Sequence, residues 1–234
     1  MRRNEKIALN IMTLTTAAVL AIVGAFVVPK VALSQEGLSY EVIVTNLTRG
    51  QQFTPILAAT HGEMTSLFTL GSPSTPELAT LAEEGNTAPL AGLLMVTPGV
   101  RDVVTSGGLL NPGAAKSFTI QGGRRADHIS VAAMLIPTND GFFALNDVEL
   151  PTGHDVLTVF SPAYDAGSER NDELCASIPG PFFAECGGPG GGGMPKGGEG
   201  YVHIHAGIHG IGNLSPALRD WRNPVARITI RRVK

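Results

Sequence analysis

One stretch limits the possible folds more than any other: Thr138–Glu169, TNDGFFALNDVELPTGHDVLTVFSPAYDAGSE. Two largely apolar runs, Phe142–Leu150 and Asp155–Phe160, flank the turn-like Pro151-Thr152-Gly153-His154. Their length and turn chemistry predict a β-hairpin. Roughly eight strand residues at about 3.3 Å each carry the chain about 26 Å out, and the return strand cancels that distance. Asp140 and Asp165 should therefore emerge at one end of the sheet, with Glu169 four residues on across Ala166-Gly167-Ser168. Three carboxylates on one rim repel one another. A hard divalent cation with oxygen ligands relieves that repulsion, and outside the cell Ca2+ is the natural candidate. The bland alternative is that all three are turn residues on a wet surface.

The rest of the chain suits short strands and many turns. Among 234 residues there are 29 Gly and 16 Pro, while only 16% are charged and 6% aromatic. Tyr40–Asn46 alternates and is β-branched. Phe53–Thr60 reads as a second strand, with Pro55 confining it to an edge or a strand start. Ser74-Thr75-Pro76-Glu77 signals a helix start with Ser74 as the cap. That helix ends before Gly85 and is expected to bridge two strands across one end of a sandwich. Ala88–Pro98 is ambiguous between strand and helix, and Gly99–Gly113 is loop-like. Ser117–Gln121, His128–Ile136, Tyr201–Ala206 and Val225–Val233 read as strands. The expectation is an all-β antiparallel sandwich of about eight strands with one or two short helices.

Residues 1–34 read as a signal peptide. Arg2, Arg3 and Lys6 precede the apolar run Ile7–Val28, and Ala32-Leu33-Ser34 offers a cleavage site after Ser34. An uncleaved membrane anchor is the alternative, since the run is near the roughly 20 residues that span a bilayer. Either way residues 35–234 form one exported domain, periplasmic or extracellular. The leader holds four of the 17 basic and one of the 20 acidic residues, so the remainder carries 13 against 19, a net charge of −6. That balance argues against nucleic acid and against unaided binding to anionic lipid. In an exported protein the only two cysteines, Cys175 and Cys186, are expected to pair. Gly187–Gly200 is low-complexity and is expected to be a flexible loop.

A second constellation is His203-Ile204-His205, with His209 four residues on. Positions i and i+2 of a strand share a face, so His203 and His205 can address one ion. His209 and His61 could complete a Zn2+ or Cu2+ site, which would open metal-dependent chemistry. The competing role for these histidines is to hydrogen-bond loop backbone. Enzyme signatures are thin: there is no G-x-S-x-G elbow and no H-E-x-x-H helix. Asp140 and Asp165 are the residue types of a glycosidase pair, but few aromatics are available to line a sugar cleft. Trp221 reads as a core anchor. Asn46-Leu47-Thr48 and Asn213-Leu214-Ser215 fit the glycosylation sequon.

The order of these segments resembles a known family. It comprises the Tyr40-x-Val-x-Val-Thr-Asn-x-Thr48 strand, a helix ending Leu81-Ala-Glu-Glu-Gly85, and Ser130–Asp140 (SVAAMLIPTND). The Tyr164-Asp-Ala-Gly-Ser-Glu169 loop and Asn223–Ile230 (NPVARITI) follow. Together, across about Leu38 to Val233, they are similar to the spondin N-terminal domain of the F-spondin and mindin type, in a single-domain form such as bacteria secrete. The resemblance implies a C2-like β-sandwich with Ca2+ held among loops at one end, in secreted adhesion proteins. On the matching positions the family's acidic ligands fall on Asp140, Asp165 and Glu169. The last is Glu where the family has Asp, which lengthens its reach by one methylene. A non-enzymatic module binding an extracellular or cell-surface ligand is the expectation. Calcium-dependent lipid binding would rest on fold analogy alone.

Overall fold

The computed structural model describes residues 37–192 and 197–234, so the predicted signal peptide and part of the glycine-rich run lie outside the described residues. In chain order the strands are β1 (Leu38–Asn46), β2 (Gln52–Phe53), β3 (Leu57–His61), β4 (Asp102–Thr105), β5 (Ala115–Gly122), β6 (His128–Ile136) and β7 (Gly141–Glu149). They continue as β8 (Val156–Ser161), β9 (Ala163–Asp165), β10 (Phe182–Phe183), β11 (Gly188–Pro189), β12 (His203–Ile204) and β13 (Ala226–Arg232). Three short α-helices, α1 (Pro76–Glu84), α2 (Ala88–Val96) and α3 (Pro216–Arg219), and one turn of 3-10 helix at Ala184–Cys186 complete the described elements. Two antiparallel sheets face each other, ordered β5-β1-β13-β8 and β12-β9-β7-β6-β3-β4, with β2 beside β6 and β10-β11 a separate ribbon. The architecture is the expected all-β sandwich. The strand count exceeds eight because Phe53–Thr60 breaks at Pro55 into β2 and β3, β4 lies in the segment read as loop, and the short strands β9, β10 and β11 fall outside the segments read as strands.

Alternation explains β1. Tyr40, Val42, Val44 and Asn46 point inward and the residues between them outward, which suits a sheet with one wet face. Strand β6 is different: from Ile129 to Ile136 every residue is buried. Ile129, Val131, Ala133 and Leu135 join the core between the sheets. Ala132 lies on the other face, in a second apolar layer with Leu57, Leu78, Leu81, Leu90, Leu94 and Phe142. Helices α1 and α2 therefore cover the outer face of the larger sheet, and α1 does not bridge one end of the sandwich. Truncating Leu81, fully buried in this seam, would cost about 2–5 kcal/mol. The cap of α1 is Thr75, one residue later than Ser74, and it accepts the Leu78 N–H at 3.2 Å. Ala88–Val96 resolves as helix. Its apolar residues occupy both faces, so periodicity could not decide it.

The predicted hairpin is not a hairpin. Strand β7 pairs with β6 and β9, whereas β8 pairs with β13 in the opposite sheet. The Leu150–Asp155 connection crosses the sandwich. The chain changes sheets again at Ser161-Pro162, where Ser161 Oγ accepts the Ala144 N–H (3.1 Å) and donates to the Ala144 carbonyl (2.9 Å). That hydroxyl satisfies β7 just where its ladder to β9 stops. The conclusion drawn from the hairpin survives its failure, because the register Gly141↔Asp165 brings Asp140 and Asp165 to one rim.

Cys175 and Cys186 are bonded, with Cα atoms 5.5 Å apart. Trp221 is buried in the main core. Asn46 is buried too, donating to the Gln51 and Leu110 carbonyls, so the first sequon is closed in the folded domain. Among the described residues no helix is long and apolar enough to cross a membrane.

Candidate metal centre

Two loops and one short strand build the rim. The turn after β6 delivers Asp140, whose carbonyl accepts the Ala166 N–H at 3.1 Å and so fastens the two loops together. Asp140 Oδ2 accepts three donors: Ser168 N–H (2.9 Å), Ser168 Oγ–H (3.2 Å) and Glu169 N–H (3.0 Å). Asp165 ends β9, with Oδ1 accepting the Gly167 N–H (2.8 Å) and Oδ2 the Asn171 side-chain amide (2.6 Å). Asp140, Asp165 and Glu169 are all buried. Asp140 Oδ1 and Glu169 Oε2 find no hydrogen-bond partner among the described residues. A buried carboxylate oxygen with nothing to accept from is costly.

The electrostatics agree. Burial, then the Asp165 charge, push Asp140 up to about 7 despite its three donors. Burial raises Asp165 as well, opposed by Asn171, Gly167 and His203. Burial, followed by the charges of Glu83, Asp140, Asp172 and Glu84, takes Glu169 to about 8. Glu83 and Glu84 close α1, whose last turn has no basic residue, so the negative end of the helix dipole adds to the same field. Among the described residues no lysine or arginine forms an ion pair with Asp140 or Glu169. Ionisable oxygens, two of them unpartnered, on loops held by backbone hydrogen bonds are the donor type a hard divalent cation takes, but among the described residues these three carboxylates do not gather within 4.8 Å of one another as Asp165, Glu199 and His203 do.

The histidines belong to the same rim. Strand β12 pairs antiparallel with β9 in the register His203↔Asp165. His203 Nε2 stands 3.7 Å from Asp165 Oδ1 and 3.6 Å from Glu199 Oε2. Ligand atoms of Asp165, Glu199 and His203 lie within 4.8 Å of one another, so the described residues include a possible metal cluster. His203 Nδ1 is 3.0 Å from the Ile204 carbonyl. A carbonyl only accepts, so Nδ1 carries a proton. Burial lowers the His203 pKa, but the Ile204 carbonyl and the Asp165 and Glu199 charges raise it overall, so Nε2 is the atom at which a proton or a metal ion would meet the two carboxylates. His205 reverses the role of Nδ1. Its Nδ1 accepts the Gly207 N–H at 3.0 Å, which leaves the proton on Nε2, 4.0 Å from Asp165 Oδ2. Burial, then His203, lower His205 to about 4, and its ring packs on Trp221 with centroids 5.0 Å apart. His205 thus presents an N–H to Asp165 and keeps no lone pair for an ion, whereas His203 Nε2 remains available to one.

His209 is exposed and enters through its backbone, whose N–H goes to Glu173 Oε1 at 2.6 Å. His61 is at the far end of the sheet. It pairs with His128 across β3 and β6, with Nδ1 2.9 Å from the Gly62 carbonyl and Nε2 2.9 Å from Ser130 Oγ. Sequence reasoning missed Glu199 and Glu173. Glu199 is the one acidic residue in a glycine run, four positions before His203, a spacing with no meaning until the loop is folded. Glu173 is buried at φ 56° and accepts the N–H groups of His209, Gly210 and Ile211.

A family model for the spondin N-terminal domain (Spondin_N) matches residues 45–170, more than half of the chain. This chain belongs to the spondin N-terminal domain family. No curated protein matches it at a significant level. The matched segment contains Asp140, Asp165 and Glu169 and ends before Glu199 and His203. The family and the Cys175–Cys186 disulfide together fit an extracellular β-module in an oxidising compartment.

Proposed function

We propose that this spondin domain is an exported, non-enzymatic binding module that takes Ca2+ at Asp140, Asp165 and Glu169. The observation carrying this reading is the pair of buried, unpartnered oxygens, Asp140 Oδ1 and Glu169 Oε2, beside a third buried carboxylate. Ca2+ uses six to eight oxygens, so loop carbonyls and water complete the shell. The cation neutralises the charge that Glu83, Glu84 and Asp172 add to the rim. It also ties the 138–140 turn to the 165–169 loop. The stiffened loops present a surface for an extracellular or cell-surface ligand, in keeping with an adhesion role. Thermal unfolding tests the reading. Ca2+ at about 100 times its dissociation constant stabilises the fold by about 2.7 kcal/mol, which is about 5–11 °C in a domain of this size. An unchanged melting temperature at millimolar Ca2+ would refute it.

A further inference from the structure

We propose a second cation site on the imidazole side of this rim: Asp165, Glu199 and His203 bind Zn2+ or a metal of similar softness. Asp165 would be shared with the Ca2+ site, but Glu199 and His203 have no part in that reading, so the proposal does not rest on it.

Three observations carry it. The first is donor chemistry. The hydrogen bond to the Ile204 carbonyl keeps a proton on His203 Nδ1 and aims Nε2 at two carboxylates, where a metal ion would take the place of a proton. That carbonyl acts as the outer partner typical of a metal-bound histidine. Nε2 is buried and without a hydrogen-bond partner among the described residues. Imidazole selects borderline metals over Ca2+.

The second is distance. Zn–N and Zn–O bonds of about 2.1 Å place tetrahedral ligand atoms about 3.4 Å apart. Nε2 is 3.7 and 3.6 Å from the two oxygens, so a contraction of a few tenths of an ångström closes those edges. The Glu199 side chain, 38% exposed, is free to close the third.

The third is that the loop carrying Glu199 is held in place. A Cβ on Gly198 would lie 2.5 Å from the Gly167 carbonyl oxygen and 2.8 Å from Glu169 N. Gly167, at φ 66°, would put a Cβ 2.3 Å from the Tyr201 carbonyl oxygen. Only glycines let the two chains approach this closely, and the Gly200 N–H donates to the Gly167 carbonyl at 2.8 Å. The next residues are tied on the other side, where Val202 exchanges backbone hydrogen bonds with Gly71 and Ser72. His205, nine-tenths and more buried with Nε2 unpartnered and 4.0 Å from Asp165 Oδ2, braces the carboxylate from behind. It is a positioning residue, because its lone pair is spent on the Gly207 N–H.

The site supplies three protein donors and leaves a fourth position open, since His203 and Glu199 are partly exposed. That is the pattern of an exchangeable or reactive zinc, unlike the closed four-ligand structural site. A water, or a donor group from a bound partner, would take the last position.

The test uses purified, untagged protein stripped of metal, titrated with Zn2+ by calorimetry and with Co2+ by visible absorption. One Zn2+ per chain is expected, with Co2+ giving the intense bands of tetrahedral coordination. His203→Ala and Glu199→Gln, both at partly exposed positions, should each weaken Zn2+ by at least about 10-fold and leave the Ca2+ thermal shift in place. Asp140→Asn should do the reverse, so failure of the calcium reading and failure of this one are distinguishable. Thermal melts of each variant confirm folding, and if His203→Ala does not fold, Glu199→Gln decides alone. Absence of stoichiometric Zn2+, or binding unchanged in Glu199→Gln, would overturn the proposal.

Discussion

The two halves of the rim meet the same carboxylate, Asp165, from different surroundings. On one side Asp140 and Glu169 are buried, lie within the family match and come from loops beside the strongly paired β6 and β7. On the other, Glu199 and His203 are partly exposed, lie beyond the match and come from the end of a glycine run and the two-residue strand that follows it. Burial without lysine or arginine partners makes the first half a demand for charge, which the proposed hard ion would meet. Partial exposure and an imidazole nitrogen facing two carboxylates underlie the proposal of a softer ion for the second half. The difference teaches that acidity alone does not define the centre; the hydrogen bonds that use up some lone pairs and spare others do.

The strongest way to break the comparison is to remove what both halves share. Asp165→Asn should abolish the Ca2+ thermal shift and the Zn2+ heat together. Retention of both would show that neither centre uses Asp165. Next in size is Asp140→Asn. Calcium stabilisation should disappear while Zn2+ affinity changes by less than about 2-fold, and at pH 8 the metal-free variant should melt above the parent. The amide removes a buried charge that repels Asp165.

pH separates the halves without mutation. Asp140 and Glu169 have folded values raised to about 7 and about 8 from ordinary carboxylate values. Between about pH 4 and 8 these folded carboxylates hold protons that the unfolded chain releases. His205, lowered to about 4, acts in the opposite sense below its ordinary value, but the two carboxylates outweigh it, so the metal-free domain should lose stability from pH 5 to pH 8. Melting curves at pH 5 and pH 8 in chelator should show this, and saturating Ca2+ should flatten the trend. A metal-free domain more stable at pH 8 than at pH 5 would contradict the electrostatic picture of the carboxylate half.

Smaller effects sharpen the boundary. Reducing Cys175–Cys186 should cost roughly 2–3 kcal/mol, from the loop-closure entropy of an 11-residue separation, read as a lower denaturation midpoint. The smallest effect belongs to His209→Ala. Its contact with Glu173 is through the backbone, so both cation affinities should hold within about 2-fold. A large loss of Zn2+ there would move the second centre away from Glu199.

How much could be read in advance varies along the chain. The convergence of Asp140 and Asp165 was legible, yet for a partly mistaken reason. An out-and-back path of matched length ends at one rim whether its strands pair with each other or with opposite sheets. Period-two alternation in Val156–Ser161 says which residues are exposed but not which sheet receives the strand, and β13 took it. Glu169 was legible from its distance to Asp165. Glu199 was not, because a glycine run carries no periodicity and its position depends on the close approach of Gly167 and Gly198. The histidines were visible as a pair, but the donor role of Nδ1 in His203 and its acceptor role in His205 depend on the Ile204 carbonyl and the Gly207 N–H.

By itself the sequence determined the all-β class, the strands at Tyr40–Asn46, His128–Ile136 and Val225–Val233, the pairing of the two cysteines and the family. These follow from side-chain alternation, turn chemistry and composition, which act over a few neighbouring residues. Only the tertiary structure decided that α1 and α2 cover the larger sheet, that β7 and β8 part company, and that Glu199 and His203 reach Asp165. Those outcomes depend on which distant backbones hydrogen-bond and how closely glycines let them approach, and that energy belongs to pairs of segments far apart along the chain.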